Sequence, residues 1–396
     1  MMEKTMQPLS GITVLELGMV MQVPLAGQML GDYGADVIKI ERPPRGDIMR
    51  DLDEVGTARE DMSCYYAAVG CNKRTLCLDL KQAEGREVLG KLIDKADVLI
   101  HNFRPGAMER LGFGYEEVSK RNPRLVYAVG YAFGARGPLS GMPGQDMLAQ
   151  SLSGFAMNGV ESGDRPRLTA TPTVDYATAA SLSQGILAAL MGRERTGKGD
   201  LVTTSLFDVA IAMQLLEASS RSMYSYRTDW VQYAMIFKTL DGWVTVLTLF
   251  RDNPLQLMCT AFDEDDMSTD PLLATASLQR KHAHIVQEKF GPVMERYTTA
   301  ECVERLSKTD ILCAPVLDLD ETLKHPQTLQ NDILREVDIP GHGPVQLVGN
   351  PVKLASQVKQ KPRPPAALGE FSREILSDFD YTENEIRGFL ERGVIN

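Results

Sequence analysis

The amino-acid sequence predicts an α/β protein whose larger part is an open parallel, Rossmann-like sheet. Residues 11–18 (GITVLELG) are apolar and β-branched, as a buried strand requires. Residues 24–35 (PLAGQMLGDYGA) carry Pro24 near the start and Gly34 near the end, which is typical of a helix. Residues 36–42 (DVIKIER) are a second strand. Strand, helix and strand at this spacing indicate a βαβ unit with two parallel strands.

The same alternation continues along the chain. Further strands are predicted at residues 73–80, 97–103 and 124–131 (KRTLCLDL, DVLIHNF and RLVYAVGY). A helix is predicted between the first two of these, and helices rich in Ala, Ser and Gly follow at 147–159 and 177–199. A parallel sheet with helices on both faces is the simplest arrangement of these elements.

The character of the sequence changes near residues 224–230 (YSYRTDW), and one clear strand with short helices follows. We therefore assign residues 1–222 to the first part of a large α/β domain and 223–317 to a smaller α+β domain. Residues 318–396 are predicted to return to the large domain and complete it.

Composition narrows the class of protein. The formal net charge of −11 argues against general binding to nucleic acid or anionic membranes, because both need a net basic face. The 6 Cys include no C-x-x-C pair, which fits a reducing compartment. The sequence shows neither a signal-peptide pattern nor an apolar run long enough to span a membrane. We expect a soluble cytoplasmic protein.

Familiar catalytic motifs do not explain the chain. The first predicted strand is followed by MVMQVPLAGQ, which is neither a dinucleotide-binding G-x-G-x-x-G nor a P-loop. No G-x-S-x-G elbow marks a serine hydrolase. His282 and His284 form the one tight histidine pair, and their polar surroundings favour a solvated surface. We therefore predict no metal site.

Basic residues follow the predicted strands. Arg42 ends the second strand, Lys81 follows the third, and Arg104 and Arg110 follow the fourth, with Phe103 beside them. Each alone is more simply a solvated loop residue. Ligands of open parallel sheets bind at the carboxyl ends of strands, so the shared placement favours a phosphate-bearing ligand with a flat base.

Two acidic residues stand before helices. Asp175 precedes a long run of small and apolar residues, and Asp146 precedes another helix. Aspartate is among the best N-cap residues, so capping alone would explain both. At a helix N-terminus we expect Asp175 to stay ionised at pH 7, since a free carboxyl has a pKa of roughly 3.9 and helix amides lower it further. An ionised carboxylate can also attack an activated acyl carbon.

The chain resembles the class III CoA-transferases, which include formyl-CoA transferase and carnitine CoA-transferase. The resemblance covers almost the whole sequence and rests on the order of its motifs. They are PLSGITVLELG, GADVIKIERP, CNKRTLCLDLK, NFRPGAMERLGF, QDMLAQSLSG, TVDYATA, ERTGKGDLVTTSLFDV, CAPVLDLDETLKHPQ and YTENEIRGFLERGVI.

The resemblance implies substrates, a nucleophile and an assembly. An acyl-CoA would donate coenzyme A to a small carboxylic acid, with Asp175 forming covalent aspartyl intermediates and Asp146 and Gln22 assisting. The chain would form a homodimer of interlocked rings. The positions that match coenzyme A contacts are Val20, Arg42, Leu78, Lys81, Asn102, Phe103, Arg104 and Arg110.

The match to formyl-CoA transferase is incomplete. Met21 and Gln145 replace its glutamine and tyrosine, and its glycine-rich loop has no counterpart between Tyr224 and Lys238, so formyl or oxalyl specificity is not predicted. The related α-methylacyl-CoA racemases use a histidine where this chain has Gln145, and glutamine cannot act as a base. A racemase or epimerase remains one alternative. A non-catalytic CoA-binding subunit, which would keep Arg42 and Arg110 but not need Asp175, is another.

Overall fold

The computed structural model describes residues 7–59, 62–160, 163–224, 230–357 and 360–396. They form two compact units. The first extends to Leu215 and resumes with Asp332–Asn396, and the second is Leu216–Asn331. Within the described ranges, no helix combines the length and the apolar character needed to cross a bilayer.

Strands and helices alternate through most of the first unit. The strands, in chain order, are β1 (Thr13–Leu17), β2 (Asp36–Glu41), β3 (Lys73–Cys77), β4 (Val98–His101), β5 (Val126–Tyr131), β6 (Leu201–Ser205), β7 (Ala234–Lys238), β8 (Trp243–Leu247), β9 (Leu312–Pro315), β10 (Leu334–Ile339) and β11 (Gly343–Val348). The helices are α1 (Gln22–Asp32), α2 (Glu54–Arg59), α3 (Cys64–Gly70), α4 (Ala83–Lys95), α5 (Ala107–Leu111), α6 (Tyr115–Arg121), α7 (Asp146–Leu152), α8 (Thr173–Thr196), α9 (Leu206–Ala212), α10 (Leu215–Tyr224), α11 (Pro254–Ala261), α12 (Ala276–Lys281), α13 (Ala283–Met294), α14 (Thr299–Lys308), α15 (Leu319–Lys324), α16 (Pro326–Gln330), α17 (Ser372–Asp378) and α18 (Glu383–Glu391).

Six strands form one parallel sheet in the order β3–β2–β1–β4–β5–β6. The predicted parallel, Rossmann-like sheet is therefore confirmed. Because all six strands run the same way, their carboxyl ends share one edge, here called the carboxyl edge. The strand order reverses between β1 and β4, and open α/β sheets bind ligands at such a switch point.

Helices cover both faces of this sheet because side chains within each strand alternate between two cores. In β1, Leu15 faces a core shared with α4, α17 and α18, and Val14 faces a core shared with α1 and α8. On the second face, Ser183 of α8 donates a hydrogen bond to the carbonyl of Ala26 in α1 over 3.4 Å. Small side chains therefore let these two helices approach closely.

The helices α1 and α8 both begin at the carboxyl edge. The first connects the end of β1 to the start of β2, and α8 leads to the start of β6, where Leu201 pairs with Tyr127 of β5. A crossover between parallel strands must run back from the carboxyl edge to the amino edge. The first turns of both helices are therefore presented at the edge where ligands bind.

The carboxyl-terminal segment completes the first unit. At the amino edge, Arg74 of β3 contacts Asp36 at 2.5 Å, and it reaches Glu374 and Asp378 of α17 at 2.9 and 2.6 Å. Near the chain end, Ile395 forms an antiparallel bridge with Leu78. The last 65 or so residues therefore belong to the packing of the sheet rather than to a separate tail.

The second unit combines an antiparallel sheet with helices. Its strands β7, β8 and β9 pair in sequence order, and α11, α13 and α14 contribute to the core beneath them. Aromatic rings fill this core, with Phe290 at 6.1 Å from Phe237 and 5.7 Å from Phe262 between ring centroids. Edge-on contacts of this kind are favourable beyond the area they bury.

A candidate active site at the carboxyl edge

A fully buried group of charges lies beneath the turn between β1 and α1. It consists of Glu16, Lys39, Asp47 and Lys73, each at most 1% exposed, and is here called the buried ion cluster. Lys39 Nζ lies 2.9 Å from both Glu16 Oε1 and Asp47 Oδ2, and Lys73 Nζ lies 2.7 Å from Glu16 Oε2. The two acidic and two basic side chains pair with each other, because a charge buried away from water is stable only beside an opposite charge.

The two lysines respond differently to this environment. Burial opposes the charge of Lys39, but the carboxylates of Glu16 and Asp47 outweigh it and raise the pKa of Lys39. Burial dominates at Lys73 and lowers its pKa. Burial alone would raise the pKa of Asp47, yet the charge and hydrogen bond of Lys39 lower it overall.

The turn from β1 to α1 has an unusual backbone. Val20 has a φ angle of 68°, which a β-branched residue rarely adopts and which costs on the order of 1–3 kcal/mol. Its N–H donates to Asp47 Oδ1 over 3.1 Å. At Met19 the N–H donates to Asn102 Oδ1 over 3.1 Å and the carbonyl accepts from Asn102 Nδ2 over 2.8 Å. Side chains that follow β2 and β4 therefore hold this turn.

The residues expected to bind coenzyme A follow four neighbouring strands. Val20 follows β1, Arg42 follows β2, Leu78 and Lys81 follow β3, and Asn102, Phe103, Arg104 and Arg110 follow β4. Parallel pairing puts all of them at the carboxyl edge. The four basic side chains are exposed there. Leu78 differs, because its side chain is buried in the core and its N–H donates to Glu41 O over 2.8 Å.

His101 is a buried residue of this edge that the sequence analysis did not single out. Burial lowers its pKa to about 3, so its ring is neutral. Its Nδ1 accepts from the N–H of Phe103 over 3.2 Å, so Nε2 carries the proton and donates to the Tyr127 hydroxyl over 3.0 Å. The ring therefore orients the backbone at Phe103. In the sequence, its position near the end of an apolar predicted strand could have indicated this role.

Neither acidic residue of interest is an N-cap. Asp175 is the third residue of α8, which has Pro172 at its N-cap position, and Asp146 is the first residue of α7. The N–H of Asp175 instead donates to Asp146 Oδ2 over 2.8 Å. The other oxygen, Asp146 Oδ1, accepts from Gln150 Nε2 over 2.5 Å. One carboxylate therefore caps the helix that carries the other.

The helices that carry this pair, α7 and α8, pack together with α9. Ala149 of α7, Val174 of α8, and Leu206 and Ala210 of α9 pack into one small apolar cluster. Asp146 and Asp175 are only 5% and 9% exposed. Both acids are therefore buried on helices that pack against one another.

The carboxylate of Asp175 is poorly solvated. In the described part of the chain, no donor forms a hydrogen bond with it. Burial, and then the negative charge of Asp146, raise the pKa of Asp175 to about 7. The expectation that Asp175 keeps a low pKa is therefore wrong, because desolvation outweighs the effect of the helix terminus. Perturbed pKa values of this kind are concentrated at functional sites.

Gln22 is the first residue of α1 and is also buried. Its Nε2 donates to the carbonyl of Tyr131, at the end of β5, over 3.3 Å. A Cβ atom at Gly130 would lie 2.7 Å from its carboxamide, so the absence of a side chain there makes room for Gln22. Gln22 and Asp175 thus begin two adjacent helices at the same edge. The described residues include no cluster of His, Cys, Asp and Glu suited to a metal ion.

Residues 9–370 match the sequence profile of CoA-transferase family III. The chain belongs to this family. The predicted resemblance to the class III CoA-transferases is confirmed, and coenzyme A thioesters are the substrates of the family.

Curated relatives of the same family match over almost the whole chain. A formyl-CoA:oxalate CoA-transferase of Escherichia coli is 31% identical over 428 residues, covering 98% of this chain and 99% of its own. An acyl-CoA transferase of Fusarium pseudograminearum is 30% identical over 403 residues, covering 98% and 88%.

Solved structures agree with the family assignment. A CaiB/BaiF family protein of Brucella suis superposes with a TM-score of 0.84 at 25% identity, over 94% of this chain and all of its own. A Mycobacterium tuberculosis protein in an orthorhombic crystal form gives a TM-score of 0.80 at 27% identity, over 93% of this chain and 98% of its own.

The raised pKa of Asp175 predicts how stability depends on pH. Its folded pKa lies above the unfolded value, so the folded protein binds more protons between about pH 4 and 7 and loses stability as pH rises through that window. Asp175→Asn removes this loss. Urea unfolding measures the free energy of unfolding of the variant and of the parent. We expect the variant's value minus the parent's value to be about 2 kcal/mol larger at pH 8 than at pH 5.

Asp208→Asn is the matched control. Asp208 is the third residue of α9, as Asp175 is of α8, but it is exposed and its carboxylate accepts a 2.7 Å hydrogen bond from Ser205. Its substitution should give no gain that grows with pH. An equal effect of Asp175→Asn at pH 5 and pH 8 would contradict the raised pKa.

Proposed function

We propose that this chain moves coenzyme A from an acyl-CoA donor to a free carboxylic acid, with Asp175 as the covalent carrier. The observation that carries the proposal is a buried carboxylate, without a hydrogen-bond donor among the described residues, in the first turn of a 24-residue helix. A carboxylate without solvating donors is a stronger nucleophile than one in water. The names of the curated relatives, an acyl-CoA transferase and a formyl-CoA:oxalate CoA-transferase, support the reaction class.

The chemistry conserves an activated acyl bond at each step. An oxygen of Asp175 attacks the thioester carbonyl, a C–O bond forms, the C–S bond breaks, and coenzyme A leaves as a thiolate. The thiolate attacks the Asp175 carbonyl of the mixed anhydride, which gives an aspartyl thioester and releases the donor carboxylate. The acceptor carboxylate then displaces the thiolate to form a second anhydride. Attack of the thiolate on the acceptor's carbonyl yields the new acyl-CoA and restores Asp175.

The neighbours of Asp175 suggest separate auxiliary roles. Asp146 accepts a hydrogen bond from the amide of Asp175 and thereby holds the backbone that carries its side chain. The amide of Thr173 donates to Thr171 O and that of Tyr176 to Pro172 O, so most of the first turn of α8 is already occupied. We therefore assign the developing oxyanion to the carboxamide of Gln22, whose present bond of 3.3 Å is long and easily exchanged.

Coenzyme A would lie across the ends of β1 to β4. The exposed cations Arg42, Lys81, Arg104 and Arg110 suit its phosphates, and Phe103 offers a face for the adenine. Val20 would face the thioester, and Asn102 would hold the turn that carries it. Leu78 would contribute through its backbone, since its side chain belongs to the core.

Covalent trapping tests the nucleophile. When acyl-CoA is added in the presence of hydroxylamine, mass spectrometry should find an aspartyl hydroxamate at Asp175. Asp175→Asn should abolish the adduct and lower transfer by at least about a thousandfold, since nothing else can carry the acyl group. Asp208→Asn, the same helical position with an exposed carboxylate, should leave both unchanged.

Two other results would assign a different function. Deuterium exchange at the α-carbon of an acyl-CoA, in heavy water and without an acceptor acid, would indicate a racemase or epimerase. Binding of coenzyme A without turnover, unaffected by Asp175→Ala, would indicate a non-catalytic subunit.

Asp146 should tune the pH dependence of acylation. Only ionised Asp175 attacks, so the single-turnover rate should rise with pH through a midpoint near the pKa of about 7. The charge of Asp146 helps to raise that pKa, so Asp146→Asn should move the midpoint to lower pH. Asp208→Asn should not move it. A midpoint unchanged or raised by Asp146→Asn would refute the electrostatic coupling.

We also propose a homodimer of interlocked subunits, which the family resemblance implies. In the first unit, apolar side chains of α7 and α9 are exposed side by side, including Met147, Leu148, Leu152 and Ile211. Monomers rarely leave such a patch uncovered. Light scattering should give twice the mass of one chain. Tagged and untagged dimers, once mixed, should form hybrids only after unfolding, whereas rapid exchange would exclude interlocking.

A further inference from the structure

The buried ion cluster directs its hydrogen bonds to one short piece of backbone. Lys39 Nζ donates to Gly18 O over 2.9 Å, Asp47 accepts from the N–H of Val20 over 3.1 Å, and Lys73 Nζ donates to Pro24 O over 2.6 Å. Gly18 and Val20 lie on the turn from β1 to α1, and Pro24 lies in the first turn of α1. A cluster that served only the core would have no reason to converge there.

The convergence matters because the turn is strained at its centre. Val20 has a left-handed backbone, at φ 68°, that glycine would adopt without cost and valine would not. Without a bond at its N–H, this residue would return to a negative φ. Such a change would redirect Met21 and the start of α1, and therefore the carboxamide of Gln22.

We propose that Asp47 is a positioning residue of the transfer reaction. Held by Lys39, it keeps Val20 in the left-handed conformation, so that the turn presents Val20 and Gln22 to the reacting thioester in one fixed geometry. This inference rests on the proposed function, because it assumes that the thioester lies against this turn. Asp47 itself is 1% exposed and acts through Val20 rather than on substrate.

The chemistry of the cluster agrees with such a role. Burying charges is costly, and apolar residues of similar volume often stabilise a core better. Here one side chain meets two demands at once. Asp47 Oδ2 binds Lys39, and Oδ1 accepts from both Val20 and Met49. An apolar residue could not hold the Val20 amide, and strain of this kind is concentrated at functional sites.

Double substitution tests the coupling between Asp47 and Val20. Asparagine has a single acceptor oxygen and cannot bind Lys39 and the Val20 N–H as Asp47 does with two. Asp47→Asn should therefore lower kcat by about tenfold to a hundredfold, as a slightly misplaced catalytic group does, while KM for acyl-CoA changes much less. Val20→Gly removes the preference against φ 68°. In the Asp47→Asn background, it should therefore restore part of kcat rather than lower it further.

Asp36→Asn is the matched control for loss of an ion pair in the same sheet. Asp36 binds Arg74 at 2.5 Å at the opposite, amino edge. Its substitution should reduce stability and leave kcat unchanged. The inference would be overturned if the losses of kcat in the two single variants simply multiplied in the Asp47→Asn/Val20→Gly protein. An unaltered kcat in folded Asp47→Asn would also overturn it.

Hydrogen exchange keeps the test valid even where Asp47→Asn does not fold. In the unaltered protein, the amides of Met19 and Val20 should exchange as slowly as those of β1, although they lie in a turn. Rapid exchange at both would overturn the inference. Retained transfer in Asp175→Asn would instead refute the proposed function, so the two failures can be told apart.

Discussion

The constraint on which this site depends is the burial of a carboxylate that receives no hydrogen bond from the described residues. Asp175 is only 9% exposed on a helix that packs with α7 and α9, and its backbone amide is already used by Asp146. The same burial that raises its pKa would, in the proposed reaction, make it a stronger nucleophile and limit the access of water to an anhydride or thioester. In that proposal, reactivity and protection against hydrolysis share one cause, which is the burial of the carboxylate.

The proposed site requires the first turns of α1 and α8 to lie at the same edge of the sheet. The parallel sheet provides that geometry, because α1 and α8 each return from a carboxyl end and lie together on one face. The buried ion cluster then fixes where α1 begins, through backbone contacts at Gly18, Val20 and Pro24. Sheet topology brings the two helix starts to one edge, and the buried charges hold the backbone at the start of α1.

The features of the fold and site that depend on local sequence pattern could be predicted from the sequence. Strand and helix periodicity predicted the parallel sheet, and strand ends located the basic residues at its edge. The pKa of Asp175 was not accessible, because it depends on tertiary burial and on the charge of Asp146, which is 29 positions away. Likewise, the partner of Val20 lies 27 positions away at Asp47. Glu16 and Lys39, charges inside apolar strands, were the visible sign of the cluster.

The amino edge and the carboxyl edge of the parallel sheet differ in whether their charged groups favour folding. At the amino edge, Arg74 is matched by three carboxylates, a favourable network that ties α17 to the sheet. The carboxyl edge holds a poorly solvated acid and a strained valine, both of which oppose folding. Such unfavourable groups persist only where many other contacts of the folded structure hold them in place. The apolar cores on the two faces of the sheet supply the stability that offsets these two groups, so both can be kept at the edge where the proposed reaction would use them.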